Sequence, residues 1–277
     1  MRSFILLGCL LMLGCSAPIN RGAVTRRETS GSTHPEKLRV LSYNVLTGFQ
    51  KNPQQADRFV EWVKVVDPDV IGLQELSTFT RDSLERLAHR YGHSYAVLLK
   101  GKNAPVGITS KYPVTNLEKM TETMHHGCIH AEVNGHHFFI THLSPFSYVK
   151  CLEEIKEILD SAAKIPSGKG ILIMGDLNSF SPEDSVHYCP ARKYGVVQML
   201  IDKGFTDSYK KINKPFGSSF PTAAYVTKVK TKQPVRIDYI FVNSILAEKL
   251  ITATIIRDSV TDQLSDHYPL VVEFKEK

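Results

Sequence analysis

What this 277-residue chain lacks already narrows the choices. Nothing repeats at a fixed period and no low-complexity tract divides it, so repeat architectures are excluded and one domain behind a leader is expected. Its one long apolar run, Phe4 to Leu13, is too short to span a bilayer as a mature helix. Cysteine is scarce. Past Cys9 and Cys15 only Cys128, Cys151 and Cys189 remain, an odd number that allows at most one bridge and excludes a disulfide framework. Cys128 falls in a strand-like run and Cys151 on an apolar helix face, so buried free thiols are expected. No Cys/His cluster carries zinc-site spacing. Acidic residues are missing between Asp207 and Asp238, although the chain as a whole carries only +6.

The ends of the chain are read first. Arg2 and the apolar run resemble a secretory signal. Cys15-Ser16-Ala17 offers an ordinary cut, while Met12-Leu13-Gly14-Cys15 resembles a bacterial lipoprotein box in which Cys15 becomes the acylated N-terminus. Residues 16–36 are rich in Ser, Thr, Gly and Arg and read as a flexible spacer, leaving 37–277 as the domain. The expected location is the cell envelope as a lipoprotein, otherwise the exterior, and the expected state a monomer.

Apolar periodicity then alternates between strands and helices. Leu38–Val45, Asp69–Glu75 and the run Gly170 to Gly175 read as buried strands. Asn52-Pro53 starts a helix with Ala56, Phe59, Val60 and Val63 on one face, and Leu84, Leu87, Ala88 and Tyr91 mark another. Short strands follow at Tyr95–Leu99, Val106–Ser110, Val114–Lys119, Cys128–Val133 and His137–Thr141, with Asn134-Gly135 as a hairpin turn. A helical stripe runs from Tyr148 to Ala162, and a helix through Val196 and Leu200. Residues Ser179 to Pro190 read as a loop, and Arg236–Val242, Ile251–Ile256 and Tyr268–Phe274 as the last strands. This mixture predicts an α+β fold with two packed mixed sheets flanked by helices.

Polar groups recur at strand ends: Asn44, Glu75, His142, Asp176 with Asn178, Asp238, and Asp266 with His267. Each has a bland explanation, such as a turn, a cap or a structural histidine, and Arg236 with Asp238 reads as an ordinary ion pair. Together they are harder to dismiss, because converging carboxylates repel unless a cation or proton neutralises them. Oxygen ligands favour Mg²⁺, with Mn²⁺ or Ca²⁺ as substitutes. The acid-free block from Lys210 to Arg236, with Tyr209, Phe216, Phe220 and Tyr225 interleaved, suits a nucleic acid; a solvated lysine-rich loop explains it equally well. His125-His126 either contacts substrate or marks an exposed strand start.

LSYN at 41–44, LQE at 73–75, THL at 141–143, GDLN at 175–178, RIDYIF at 236–241 and SDHYP at 265–269 resemble the endonuclease/exonuclease/phosphatase, or deoxyribonuclease I-like, superfamily. The likeness runs from about Leu38 to the C-terminus and implies a four-layer α/β/β/α sandwich that hydrolyses phosphate esters with a metal. It implies Glu75 as the main Mg²⁺ ligand, helped by Asn44, with Asp266 supporting the metal or His267. His267 held by Asp238 would activate the water, Asp176 would orient it, Asn178 would donate to the phosphate, and His142 would stabilise charge or protonate the leaving group. The expected function is a phosphodiesterase on nucleic acid. A sphingomyelinase-type enzyme, a phosphomonoesterase on inositol or other small phosphates, and a non-catalytic binding module stand as alternatives.

Overall fold

The computed structural model describes residues 36–188, 193–229 and 233–276. The stretch read as a leader, the Cys15 expected to be acylated, almost all of the stretch read as a spacer, Cys189, Lys230 and Lys232 lie outside the described residues.

Among the described residues, twelve strands form two six-stranded sheets. The first holds β1 (Lys37–Asn44), β2 (Val70–Gln74), β3 (Tyr95–Leu98), β4 (Gly107–Ser110), β11 (Leu250–Ile255) and β12 (Leu270–Lys275), ordered β11-β12-β1-β2-β4-β3. The second holds β5 (Val114–Met120), β6 (Cys128–Val133), β7 (His136–His142), β8 (Ile171–Asp176), β9 (Thr206–Asp207) and β10 (Asp238–Val242), ordered β5-β6-β7-β8-β10-β9. Both are mixed: β1 runs parallel to β2 and β7 parallel to β8, while β12 and β10 return antiparallel beside them.

Side chains alternate across each strand, which sorts the apolar residues into layers. Leu38 and Val40 of β1 face Ile140, Leu172, Met174 and Ile240 in a core between the sheets. Leu41 and Tyr43 face the other way, onto Phe59 and Val63 of α2 (Pro53–Val66) and Leu84 and Leu87 of α3 (Arg81–Arg90). On the second sheet Ile173 and Phe241 pack under α4 (Tyr148–Ala162) and α5 (Gly195–Asp202). The order is helices, sheet, sheet, helices: the four-layer sandwich expected from the motifs. Cys128 and Cys151 are buried free thiols, as expected. Among the described residues no helix is long and apolar enough to cross a membrane.

Most boundaries match expectation to within a residue or two, and the departures have local causes. Ser181 caps a 3₁₀ turn at Pro182–His187 inside the stretch read as loop, its hydroxyl accepting from Glu183 N at 3.2 Å. Four short helices carry too few periodic residues to be seen in the pattern: α1 (Leu46–Gln50), α6 (Ser208–Ile212), α7 (Ser244–Lys249) and α8 (Thr261–Leu264). The first is a left-handed turn, with φ positive at every residue from Leu46 to Lys51. Each non-glycine position there costs on the order of 1 kcal/mol, offset in part by burial of Phe49.

His93 ties the first sheet to the chain entering β2. Its Nε2 bonds the Pro68 carbonyl at 2.8 Å and so carries the proton; its Nδ1 therefore accepts from Thr109 Oγ1 at 2.9 Å. Burial is the largest cause lowering its pKa, from 6.5 to about 4. Because the folded value lies below the unfolded one, this contribution is complete above pH 6.5 and is lost as pH falls towards 4. Its size is on the order of 3 kcal/mol. Urea midpoints measured from pH 7 to 4 should fall more steeply for the wild type than for His93→Asn; parallel curves would refute this account.

Candidate active site

Alternation also places the chemistry. In β7, β8 and β10 the residues facing the inter-sheet core are Ile140, Leu172, Met174 and Ile240. Continuing each strand at period two reaches His142, Asp176 and Asp238 at one sheet edge. There His142 and Asp238 are the direct register partners of Asp176 on either side. Asn44 extends the Leu38–Val40 face of β1 in the same way, from the other sheet. Glu75 breaks the parity, and φ +64° at that residue turns it back towards the group. The parallel strands end here and the antiparallel ones begin here, so groups distant in sequence converge.

Asn44 joins the two sheets. Its Nδ2 donates to Glu75 Oε1 at 3.1 Å and to Asp176 Oδ2 at 3.1 Å, while its Oδ1 accepts from Leu46 N at 3.1 Å. The left-handed turn sends Thr47 N to Glu75 Oε2 at 2.9 Å. His267 Nδ1 bonds Asp238 Oδ2 at 2.8 Å, and its Nε2 lies 3.7 Å from Asp176 Oδ2. His142 Nε2 approaches the same oxygen to 3.5 Å. Asn178 Nδ2 donates to the Leu143 carbonyl at 3.0 Å, and Asp266 Oδ1 stands 3.9 Å from His267 Nε2. All eight residues expected at the site are thus in or beside one cluster. Gly175 lets the strands close at this point: φ is +138°, and a Cβ there would lie 1.9 Å from the Thr141 carbonyl oxygen.

The groups are nearly dry, and that sets their protonation. Burial, then Asp238, pushes the Asp176 carboxyl up to about 7. Burial alone would lower His267, but Asp238 and Asp176 outweigh it and hold the imidazolium well above the usual range. His142 is driven well below it by burial and by His126 and His267. Burial raises Asp266. Asp238 Oδ1 is buried without a hydrogen-bond partner. Four carboxyl groups around one imidazolium leave negative charge to offset, and the donors are mostly hard oxygens. This donor set fits a divalent cation of the Mg²⁺ type. Ligand atoms of Asp176, Asp238 and His267 also lie within 4.8 Å of one another, but an imidazolium at 267 has no lone pair for a metal, which leaves the carboxylate oxygens as the ligands.

Residues that the sequence reading passed over hold the cluster. Ser219 Oγ accepts from Ile237 N at 3.0 Å and Asp238 N at 3.1 Å, and Ser265 Oγ donates to the Asn44 carbonyl at 2.7 Å. Buried Glu154 takes His125 N at 2.5 Å and Ser144 N at 2.8 Å, clamping the two loops beside His142. His126 stacks on His142 at 4.2 Å, which places it in the cleft wall and not at an exposed strand start. A hydroxyl or a helix carboxylate acting through backbone bonds leaves no motif.

The basic block needs correction. Arg236 does not pair with Asp238. It is fully buried, with Nη1 2.5 Å from Asp207 Oδ2 and Nη2 2.6 Å from Asp184 Oδ2. Lys210 is bound to Asp184 at 2.9 Å, and the Tyr209 and Tyr239 rings cover the guanidinium. Phe216 packs with His187 and Tyr188, and Phe220 with His267. Of the described cations in the block, Lys211, Lys214 and Lys228 are exposed. Arg236 and Lys210 act as a structural plug, the exposed lysines agree with the solvated-loop reading, and parts of the block (Phe220, Val235, Ile237) line the cleft.

A profile of the Endonuclease/Exonuclease/phosphatase family matches residues 41–267. A search of curated proteins returns no match. Among solved structures, the chain is similar to an AP endonuclease from Archaeoglobus fulgidus, with TM-score 0.67 and 17% identity over 86% of this chain and 99% of that one. It is similar to the 3' phosphatase NExo from Neisseria bound to product DNA hairpin, with TM-score 0.67 and 19% identity over 86% and 99%. A humanised D. rerio TDP2 gives TM-score 0.61 and 16% identity over 87% and 99%. At these identities the likeness establishes the fold.

Removing the cation at 236 leaves Asp184 and Asp207 buried and unpaired. Arg236→Met should lower unfolding free energy by about 3–5 kcal/mol, read from urea midpoints. A loss below about 1 kcal/mol would show that the two carboxylates are not held by this pairing.

Proposed function

The chain belongs to the endonuclease/exonuclease/phosphatase family, and on that premise we propose that it is a divalent-metal-dependent phosphodiesterase acting on nucleic acid. The observation that carries the hydrolase reading is the junction of Asn44 and Glu75 from one sheet with Asp176, Asp238 and His267 at the edge of the other. Such a junction sets a proton acceptor, a fixed cationic donor and a cation-binding carboxylate around one point.

Asp176, its carboxyl pushed up to about 7, takes the proton of the attacking water at Oδ2. His267 is better suited to donating than to accepting: its Nδ1–H is committed to Asp238, and its Nε2–H is free for a phosphoryl oxygen. Here the assignment differs from the motif-based expectation, in which His267 removes the water proton. His142 is neutral, and its Nδ1 has no partner, so its proton sits on Nε2 and faces the same oxygens. Asn178 keeps one amide N–H beyond its bond to Leu143 for the phosphate. A divalent cation, held by Glu75 with Asn44 and Asp266 alongside, would polarise the phosphoryl group and offset the converging carboxylates.

Support for nucleic acid comes from the cleft and no longer from the lysine block. The cleft is about 450 Å³, and its walls present Phe146, Phe180 and Phe220, flat faces on which bases stack. The Neisseria relative was captured with a DNA hairpin product. The proposal extends to a monomeric domain over 37–277, exported and anchored to the bacterial envelope through acylated Cys15. Absence of labelled fatty acid on Cys15 in a bacterial host would count against that anchor.

A hydrolysis panel of duplex DNA, single strands, RNA, sphingomyelin and inositol phosphates is the test. Cleavage of nucleic acid is expected, with kcat lowered about 10²–10⁴-fold in Asp176→Asn and in His267→Ala. Glu75→Gln should instead raise the Mg²⁺ concentration needed for half-maximal rate. Turnover of sphingomyelin or inositol phosphates alone would transfer the same chemistry to the other substrate class. No turnover of any ester by the wild type would leave a binding module.

A further inference from the structure

Phe146 is 80% exposed, yet its backbone is not loose. Ser144 N is held by Glu154, Phe146 N reaches Ser144 Oγ at 3.4 Å, and the ring stands edge-on to His125 at 5.1 Å. A large apolar ring fixed in water invites a partner, although a single exposed phenylalanine is ordinary. Its position is what counts. Phe146 forms a lip between two hollows, the catalytic cleft and a second of about 280 Å³, which share Pro145, Asn178 and Phe180. Among the described residues, no lysine or arginine lines the catalytic hollow. The second hollow contains Lys193, whose Nζ lies 4.9 Å over the Tyr148 ring. Among the described residues, a catalytic lobe without lysine or arginine thus opens directly, past an aromatic lip, onto a lobe that contains Lys193.

We propose that the second hollow is a subsite for the nucleotide flanking the scissile phosphate, with its base on Phe146 and its next phosphate at Lys193. The inference rests on the nucleic-acid reading above and narrows it. The substrate is a single strand or a frayed end, because a base can reach the ring only when unstacked from its duplex neighbours. It carries at least one phosphate beyond the bond that is cut. A mononucleotide ester or a phospholipid headgroup has nothing to place at Lys193. A point charge on a flexible stem suits a phosphate approached from several directions.

The test compares a single-stranded trinucleotide, with two phosphodiesters, and a dinucleotide, with one. The wild type should prefer the trinucleotide in kcat/KM by about tenfold, the order of one charge-assisted contact. Lys193→Met should abolish that preference through KM, and Lys193→Arg should restore it. Phe146→Ala should raise KM for both substrates about 5- to 100-fold, the range of one base–ring stack. If the wild type cuts both substrates without preference, or Lys193→Met keeps the wild-type ratio, the subsite is wrong while the nucleic-acid reading survives. If the wild type cuts neither oligonucleotide but hydrolyses another phosphate ester, both readings fall together.

Discussion

Period-two alternation along a strand is the constraint from which the rest follows. A strand with one face against helices and the other against a second sheet must be apolar on both, and β1, β7, β8 and β10 are. At its last residue the inter-sheet face loses its cover, and a polar side chain there points into the gap between the sheets. Two sheets do this at a common edge, so Asn44, His142, Asp176 and Asp238 meet at strand ends, and Glu75, Asn178, Asp266 and His267 join them from the connections alongside. The rigidity of a double sandwich passes to the site, where Asn44 fixes one carboxylate from each sheet with a single amide. Tools of catalysis mounted on strand ends move only if the core moves.

Much of this was legible. The apolar runs of β1, β2 and β8 announce buried strands, and six short motifs in order give the topology and the polar strand ends together. Sequence could not reveal which charges pair. Arg236 sits two residues from Asp238 and on that ground reads as its partner. In the folded chain it turns to Asp184 and Asp207, brought in by a 3₁₀ turn and a two-residue strand too short to leave a periodic trace. Lys210 reads like its exposed neighbours Lys211, Lys214 and Lys228 because composition carries no direction, and only the fold turns it to Asp184. His126 was ambiguous for the same reason, and only the stack on His142 decides it. Ser219, Ser265 and Glu154 act on backbone groups of remote segments and have no local signature.

Electrostatics divide the site more finely than residue type does. Asp176 and Asp238 are the same residue in register on adjacent strands, an arrangement that would be repulsive in isolation. Their surroundings separate them. Asp238 accepts from His267 Nδ1 while its backbone N–H donates to Ser219 Oγ, whereas Asp176 is buried beside another carboxyl and rises towards neutrality. One anchors an imidazolium and the other is held towards neutrality, two states that a single environment could not support. Buried Arg236, immediately before the β10 end, keeps the chain entering Asp238 fixed by ion pairs that water cannot loosen.

The junction made by Asn44 has a temporal side. Glu75 and Asp176 belong to separate sheets, and the two carboxyl groups that share the Asn44 amide come together only when the two sheets dock. A chain with either sheet alone formed holds one half of the cluster, so the constellation is completed in a single event, the packing of the two sheets.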